Sequence, residues 1–527
     1  MPSLKVGKGR LPAALLALAI FILYSCYSFF QYRHYITPSW DLGIFTQLAK
    51  AYSQGQLPPI VTIKGEGFNL WGDHFHPILI LLGPLYWLFP SPATLLYLQN
   101  ALLALSVYFF HRFGQAILPG LANLGLTVAF ALSFGMQNAV AVQFHEVAFA
   151  LPFLLLSLGN LVLARWQQSE EALKRACLWS LPLVFVKEDL GFTVAIVGLL
   201  VVAFSGYCHE LGALLFPLAE TKPGPVKERM RLLLRSWRAR PLLMLASFTT
   251  LWGAGWSVLA MRVVLPFFNT AGVFDYADRV DLAGALADPL QTAALFFYPW
   301  EKSASLGLLL LTGVLVWVVS PLALLALPTI SWRFLSSNSG YWESSWHYSL
   351  VLMPVVFLAL LDLLARARAA ALRRPAGRGQ SAVAGYLMRV KNRYQQQGHW
   401  ALPALALLVT VCLLPSQPLW QLTDQNFVSW QDSASDRNKR QVLKLIPSGS
   451  TVASDLSLIT YLVPEHQVYW IAHSGLPAPD YVIIDQASPT WGSSPPGDPV
   501  AYVQQRYQKT YRLAHHLGSI YVIEASS

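Results

Sequence analysis

A series of apolar segments, each near bilayer length, constrains this chain more than any other feature. The first, residues 11–31, follows Lys5, Lys8 and Arg10. Others lie at about 93–111, 116–134, 147–164, 176–187, 190–207, 241–265, 303–319, 321–335, 348–366 and 400–416. A helix needs roughly 20 residues to span the hydrocarbon core, so the pattern predicts about 11 crossings, several of them short or broken by proline. Lipid offers the backbone no hydrogen-bond partner, so such segments fold as helices. Composition agrees: 55% of residues are hydrophobic and 12% charged, against roughly 25% charged in a soluble domain. The N-terminal run is too long for a signal-peptide core and no small-x-small cleavage site follows it, so it reads as an uncleaved span.

Charge orients the spans. Segments 164–176, 222–241 and 365–379, the last continuing to Arg393, are rich in Lys and Arg. The positive-inside rule places them and the N-terminus in the cytoplasm. Loops 32–77, 135–146, 266–302 and 336–347 are poor in Lys and Arg but rich in aromatics, acids and His. They are expected outside, with the C-terminus. Topology thus accounts for the net charge of +10, and no nucleic-acid partner is expected. The four cysteines, Cys26, Cys177, Cys208 and Cys412, form no CxxC and no metal-ligand spacing. They read as membrane-packing residues.

Two domains are expected: a polytopic membrane domain over 1–416, with a long first external loop (32–77), and an external, periplasmic α/β domain over 417–527. In the latter, 450–455, 467–472, 480–486 and 519–525 are strand-like, whereas 436–446 and 498–509 are helix-like. A partly parallel sheet follows, without GxGxxG or P-loop. Asp455 and Asp485 lie at strand ends, where such sheets often bind ligands; loop capping is the expected role of both.

Ionisable residues at membrane depth are costly, so each asks for an explanation. Five clusters stand out. Asp41, in "TPSWDLGIF", is either a helix N-cap or a cavity-facing general base. In "GDHFHP", Asp73, His74 and His76 precede a helix expected to begin near Pro77, whose free N–H groups suit a phosphate. His145 and Glu146 sit at the outer end of the fourth span. Lys187, Glu188 and Asp189 interrupt a long apolar stretch, as a tight turn between two spans would. Glu343, His347 and Tyr348 lie above the tenth span. Pairing among themselves, capping and solvation are the ordinary roles of such groups. Under the topology fixed by the basic loops, however, all five fall on one side, which points to one external, membrane-level site. Asp, Glu and His suit Mg, Mn or Zn, and no spacing is diagnostic of any of them.

"WDLGIFTQ", "LWGDHFHPILILLGPLYWLFPSP", "FHE", "KEDLGF" and "WHYS" occur in an order that resembles a bacterial multi-pass family described only as a domain of unknown function (family 2079). The resemblance covers roughly residues 20–415, and the α/β tail is similar to the one often attached there. That family in turn resembles the GT-C glycosyltransferases, which include protein O-mannosyltransferases and lipid A aminoarabinose transferases. Those enzymes take a sugar from a polyprenyl-phosphate donor on the outer membrane face. The resemblance implies a GT-C-like helical fold in a bacterial inner membrane, with a membrane lipid and a polyprenyl-phosphate-linked sugar as partners. The acceptor would be an envelope glycan, lipid or protein.

The resemblance also assigns roles. Asp41 matches the acid just after span one, and Asp73 stands where a second acid is common, which makes both catalytic. "VKEDLG" is similar to a Lys-containing turn between mid-chain spans. Substrate would be bound by His74, His76, His145, Glu146, Lys187, Glu188, Asp189, His347 and Tyr348. A divalent Mg or Mn is possible in such enzymes, with Asp41, Asp73 and His76 as candidate ligands. This chain departs from the pattern in having no tight DxD or DE pair after the first span. Two alternatives stand beside transfer: a transporter or flippase of a lipid-linked or polysaccharide substrate, and a non-enzymatic envelope assembly protein. No internal repeat supports the former, and the one-sided polar clusters favour surface chemistry.

Overall fold

Among the described residues six helices are long and apolar enough to cross a bilayer: Arg10–Arg33, Pro92–Gln115, Gly120–Ala141, Glu146–Gln167, Pro241–Phe268 and His399–Ser416. The computed structural model describes residues 9–207, 237, 239–276, 279, 284, 287–372 and 399–526. A further span is formed if Ser339–Ser349 and Leu352–Ala369, bent by 64° at their junction, act as one. Shorter apolar helices run over Pro77–Leu88, Leu190–Phe204 and Pro321–Leu335.

Among the described residues some of the expected crossings take a shorter or broken form, and local chemistry explains each. The 176–187 segment is the end of helix Glu170–Ser180 followed by a 3-10 stretch, Leu181–Phe185, with Pro182 at its start. The 303–319 segment breaks after helix Trp300–Thr312, where Val314 and Leu315 take positive φ (58° and 62°). The basic 164–176 segment is mostly helical too: only Gln168 and Ser169 separate two helices, and Ser169 Oγ caps the second by accepting from Ala172 N–H. Most of 222–241, Cys208 and residues 373–398 lie outside the described residues. Cys26, Cys177 and Cys412 are free thiols.

Helices Leu190–Phe204 and Pro241–Leu259 meet through glycine. A Cβ on Gly191 would stand 2.4 Å from the Gly253 carbonyl oxygen, so only a small residue permits this approach, the usual device where helices pack in membranes. At one end of the bundle, buried Asp362 binds Arg165 (2.7 Å) and accepts from Ser320 Oγ (2.7 Å). Glu146, on the same helix as Arg165, marks the other end; the 19 residue steps from one to the other span about 28 Å.

The C-terminal segment carries strands β1 (Thr451–Ser454), β2 (Gln467–Trp470), β3 (Tyr481–Asp485), β4 (Tyr511–Leu517) and β5 (Ile520–Ala525). Their order is β2-β1-β3-β5-β4; β2, β1 and β3 are parallel, whereas β5 runs antiparallel to β3 and β4. The partly parallel sheet was legible, but β4 was not. It is an edge strand, largely exposed and interrupted by a bulge between Leu513 and His515, so its sequence does not alternate. Helices Ala434–Leu445 and Pro499–Tyr507 fall where helices were expected. Asp455 accepts from Ser457 and Asp485 N–H groups, and Asp485 from Ala487 N–H and Ser519 Oγ. Both serve the sheet's own loops.

This sheet docks onto the first loop of the membrane domain. Gln47 and Thr62 donate to the Val468 carbonyl (2.8 and 2.6 Å), and Lys50 donates to the Val463 carbonyl (2.8 Å). Arg33, ending the first span, binds Asp432 (2.8 Å). One continuous apolar core includes Leu42, Ile63 and Ile459, so helix Asp41–Ser53 is held between bundle and sheet.

Candidate functional site

All five ionisable clusters line one cavity of about 1260 Å³. Asp41 is the first residue of helix Asp41–Ser53, and Trp40 occupies the cap position. The cap reading is thereby corrected: Asp41 forms no side-chain cap bond. An acid in the first turn still interacts well with the helix dipole.

The loop "GDHFHP" reaches the cavity because Gly72 lets it press on another chain segment. A Cβ there would lie 2.6 Å from the Asn269 backbone. The short helix starts at Pro77, as the proline predicts, with buried His76 just before it. Glu146 opens its long helix. Lys187, Glu188 and Asp189 form the turn between the 3-10 stretch and helix Leu190–Phe204. His347 and Tyr348 lie beside the 64° bend, where Pro354 cannot donate to the Leu350 carbonyl. Glu343 does not line the cavity.

Most of the acids are engaged by other side chains, Asp73 partly within its own loop and the rest by groups from distant segments. Asp73 binds Lys64 Nζ (2.6 Å) and accepts from the Tyr276 hydroxyl (3.0 Å). Glu188 binds His74 Nδ1 (2.8 Å) and accepts from Phe75 N–H (3.0 Å). Glu146 binds Lys187 (2.7 Å), and Asp189 accepts from Trp332 Nε1 (2.9 Å). Asp41 differs. Its side chain is 28% exposed, against 9%, 3% and 4% for Asp73, Glu146 and Glu188. Its nearest basic group is His145 Nε2, at 3.6 Å, a close approach rather than a hydrogen bond.

These environments set protonation. Burial favours neutral Asp73, but the charges of His74 and Lys64 outweigh it and hold the carboxyl down at about 2. Burial opposes the charged form of His74, yet Glu188 raises its pKa. His76, edge-on to the Phe45 ring (6.2 Å), is pushed down by burial to about 4 and stays neutral. Burial likewise disfavours ionised Asp41, and His145 overcomes it, so the pKa falls below its ordinary value. Asp41 is therefore an ionised carboxylate facing the cavity.

Arg262 and Arg279 also line the cavity, and neither makes an ion pair among the described residues. Arg262 lies in a π-helical turn, Ala260–Val264, within the span Pro241–Phe268. Pro266 explains the turn: it has no N–H for the Arg262 carbonyl and its ring crowds that oxygen. Arg279 rests against the Tyr276 and Tyr341 rings (5.3 and 5.8 Å). Unpaired guanidinium groups suit phosphate oxygens. For a metal the donors do not fit: among the described residues no three His, Cys, Asp or Glu side chains stand where they could share an ion. Asp41, Asp73 and His76 do not form such a group, and Asp73 is bonded to Lys64 and Tyr276.

Sequence reasoning missed Lys64, Arg262, Tyr276, Arg279 and Trp332. Arg262 did carry a signal, because a lone arginine in an apolar span is expensive and normally faces a polar cavity. The others sit in ordinary loops or at a helix end, where nothing in their spacing marks them.

No curated protein matches the sequence. Among solved structures, the chain is similar to the crystal structure of ArnT from Cupriavidus metallidurans bound to undecaprenyl phosphate. Identity is 10% and the TM-score 0.46, with 97% of each chain covered. The model of the membrane-protein family DUF2079 matches residues 33–516, and the chain belongs to that family.

Proposed function

We propose that this protein is a membrane glycosyltransferase that moves a sugar from a polyprenyl-phosphate donor to an envelope acceptor. The observation that carries the reading is a division of charge. Within one cavity Asp41 is a half-buried carboxylate open to the cavity, and Arg262 and Arg279 are guanidinium groups without ion-pair partners among the described residues. Asp41 takes the proton of an acceptor hydroxyl as its oxygen attacks the anomeric carbon. The bond from that carbon to the phosphate oxygen breaks, and its electron pair leaves with the lipid phosphate. Arg262 and Arg279 stabilise the charge that develops there. Paired Asp73 shapes the wall and does not act as base. The exposed Val263 and Phe267, near Arg262 on the same helix, offer an apolar path for the prenyl chain. The sequence resemblance to GT-C enzymes supports the same reading. The basic segments orient the cavity and the α/β domain toward the periplasm, with the N-terminus in the cytoplasm.

The test is a mass-spectrometric profile of polyprenyl-linked sugars and envelope glycans. Cells with the intact protein, the deletion and Asp41→Asn are compared at equal membrane abundance. Transfer predicts that a donor lipid accumulates and one decoration vanishes in both mutants. A profile altered by the deletion but not by Asp41→Asn would replace transfer with transport or assembly.

A further inference from the structure

We propose that His145 holds the proton that Asp41 removes from the acceptor, so that the two side chains work as one proton-accepting pair. This rests on the transferase reading and gives that site a part it lacked. His145 is 3% exposed, and its Nε2 is buried with no hydrogen-bond partner. On the other side of the ring, Nδ1 lies 3.2 Å from the Gln143 carbonyl oxygen. A carbonyl only accepts, so Nδ1 carries a hydrogen, and in the neutral imidazole Nε2 then presents a lone pair, whereas in the imidazolium it donates toward Asp41 and favours the carboxylate. In the neutral form Nε2 therefore faces Asp41 Oδ2 at 3.6 Å as acceptor against acceptor. Neither can bond the other until a proton arrives. That accounts for both the length of the contact and the orphaned nitrogen, and such gaps close when substrate binds.

The surrounding loop is built to hold this tautomer. Buried Gln99 donates to the Ala139 and Gln143 carbonyls (2.9 and 3.0 Å) and accepts from His145 N–H (3.0 Å). Gln143 is thereby kept at φ 77°, a left-handed conformation that costs a non-glycine residue about 1–3 kcal/mol and clusters at functional sites. The His347 ring stacks on His145 at 3.5 Å, which fixes the imidazole plane. Exposure sets the order of events: Asp41 is 28% exposed and His145 4%, so Asp41 meets the hydroxyl and His145 stands behind it. The hydroxyl proton moves to Asp41 and then to Nε2. The acceptor oxygen keeps its electron pair for the new bond to the anomeric carbon, and the departing phosphate takes the pair of the broken one. The other ionisable groups near the pair are the Glu146–Lys187 ion pair, His347, His76 and Tyr348.

Two measurements test the pair. In the purified protein, isotope-edited infrared spectra follow the Asp41 carboxylate band, assigned by its loss in Asp41→Asn. His145→Phe keeps a ring against His347 but removes the nitrogen. The proposal expects Asp41 to protonate at a pH higher by about one unit or more in His145→Phe than in the intact protein. An unchanged titration overturns it. In cells, His145→Phe and His145→Gln, at equal membrane abundance, should each lose at least about tenfold in glycan decoration. If either keeps full decoration while Asp41→Asn abolishes it, the pair is wrong and the transferase reading stands. If Asp41→Asn keeps decoration, the transferase reading falls, and the infrared titration alone decides whether the two side chains share a proton.

Discussion

Lys64→Met removes the ammonium that stands 2.6 Å from Asp73 and leaves the carboxylate with the Tyr276 hydroxyl and nearby His74. The two side chains of the pair are only 15% and 9% exposed, so water does little to compensate. The fall of the Asp73 pKa from 3.8 to about 2 corresponds to about 2.5 kcal/mol, shared among its partners. Removing one member of a buried pair costs about 3–5 kcal/mol. With Tyr276 and His74 still in place, about 2–3 kcal/mol is expected for Lys64→Met. The assay is reversible unfolding in mixed detergent micelles at neutral pH, run as a double-mutant cycle with Asp73→Asn. The coupling should be about 1–2 kcal/mol. The folded-state pKa of Asp73 is depressed, so its contribution is complete above the unfolded value of 3.8 and is lost as pH falls through about 2. The cost of Lys64→Met should therefore shrink on acidification. A cost below about 0.5 kcal/mol at neutral pH would mean a solvated contact and refute the account of a sealed cavity wall.

Arg262→Gln should lower glycan decoration by about 10²-fold or more at equal membrane abundance, as loss of a group that stabilises transition-state charge does; undiminished decoration would remove Arg262 from the site. Gly191→Val should lower the melting midpoint in detergent, at a cost of about 1–3 kcal/mol, because its Cβ meets the Gly253 carbonyl. An unchanged midpoint would mean that the helices can separate freely there. Asp455→Asn should loosen the C-terminal sheet, since its two carboxylate oxygens accept one N–H each, from Asp485 and Ser457, and the amide nitrogen that replaces one of them cannot accept. A loss of about 1–3 kcal/mol, read as faster proteolysis of the tail, is expected.

Which parts of this structure were legible follows from what each residue costs where it sits. Asp41, His76, Glu146 and Lys187 border apolar runs, and a charge or imidazole beside lipid is too expensive to be incidental. Their convergence on one cavity could be read from topology alone. Their partners could not. Tyr276 reaches Asp73 across 203 positions, and Glu188 reaches His74 across 114; no local spacing encodes either contact. Arg262 was hidden because hydropathy averages over a window, so one charge disappears among the apolar residues around it. The breaks within the apolar runs were hidden for a related reason. Hydropathy sees Leu308 to Val319 as one run, whereas the backbone turns at Val314 and Leu315.

The charge arrangement also bears on why the cavity carries so many acids. His74 reaches Glu188 and Lys187 reaches Glu146 from segments far apart in the chain, so each neutralises its acid only once the bundle has closed, whereas Lys64 pairs with Asp73 within one loop. Folding thus cancels the charges that fix the walls and spares those that the walls surround. A buried pair left incomplete is penalised by several kcal/mol, about 3–5 by mutational measure, so the walls favour one closed arrangement. Among the described residues, the groups left without such a partner are the carboxylates of Asp41, at the foot of helix Asp41–Ser53, and of Asp189, which is bonded to Trp332 Nε1, and two guanidiniums, one of them on the span Pro241–Phe268. A neutral polar substrate would satisfy the first and leave the cations uncompensated. The proposed pair of a sugar phosphodiester and a hydroxyl-bearing acceptor satisfies both, the acceptor toward Asp41 and the phosphate toward Arg262 and Arg279. The division of charge therefore argues for a substrate that is anionic at one end and nucleophilic chemistry at the other, and against a solute that is merely passed through.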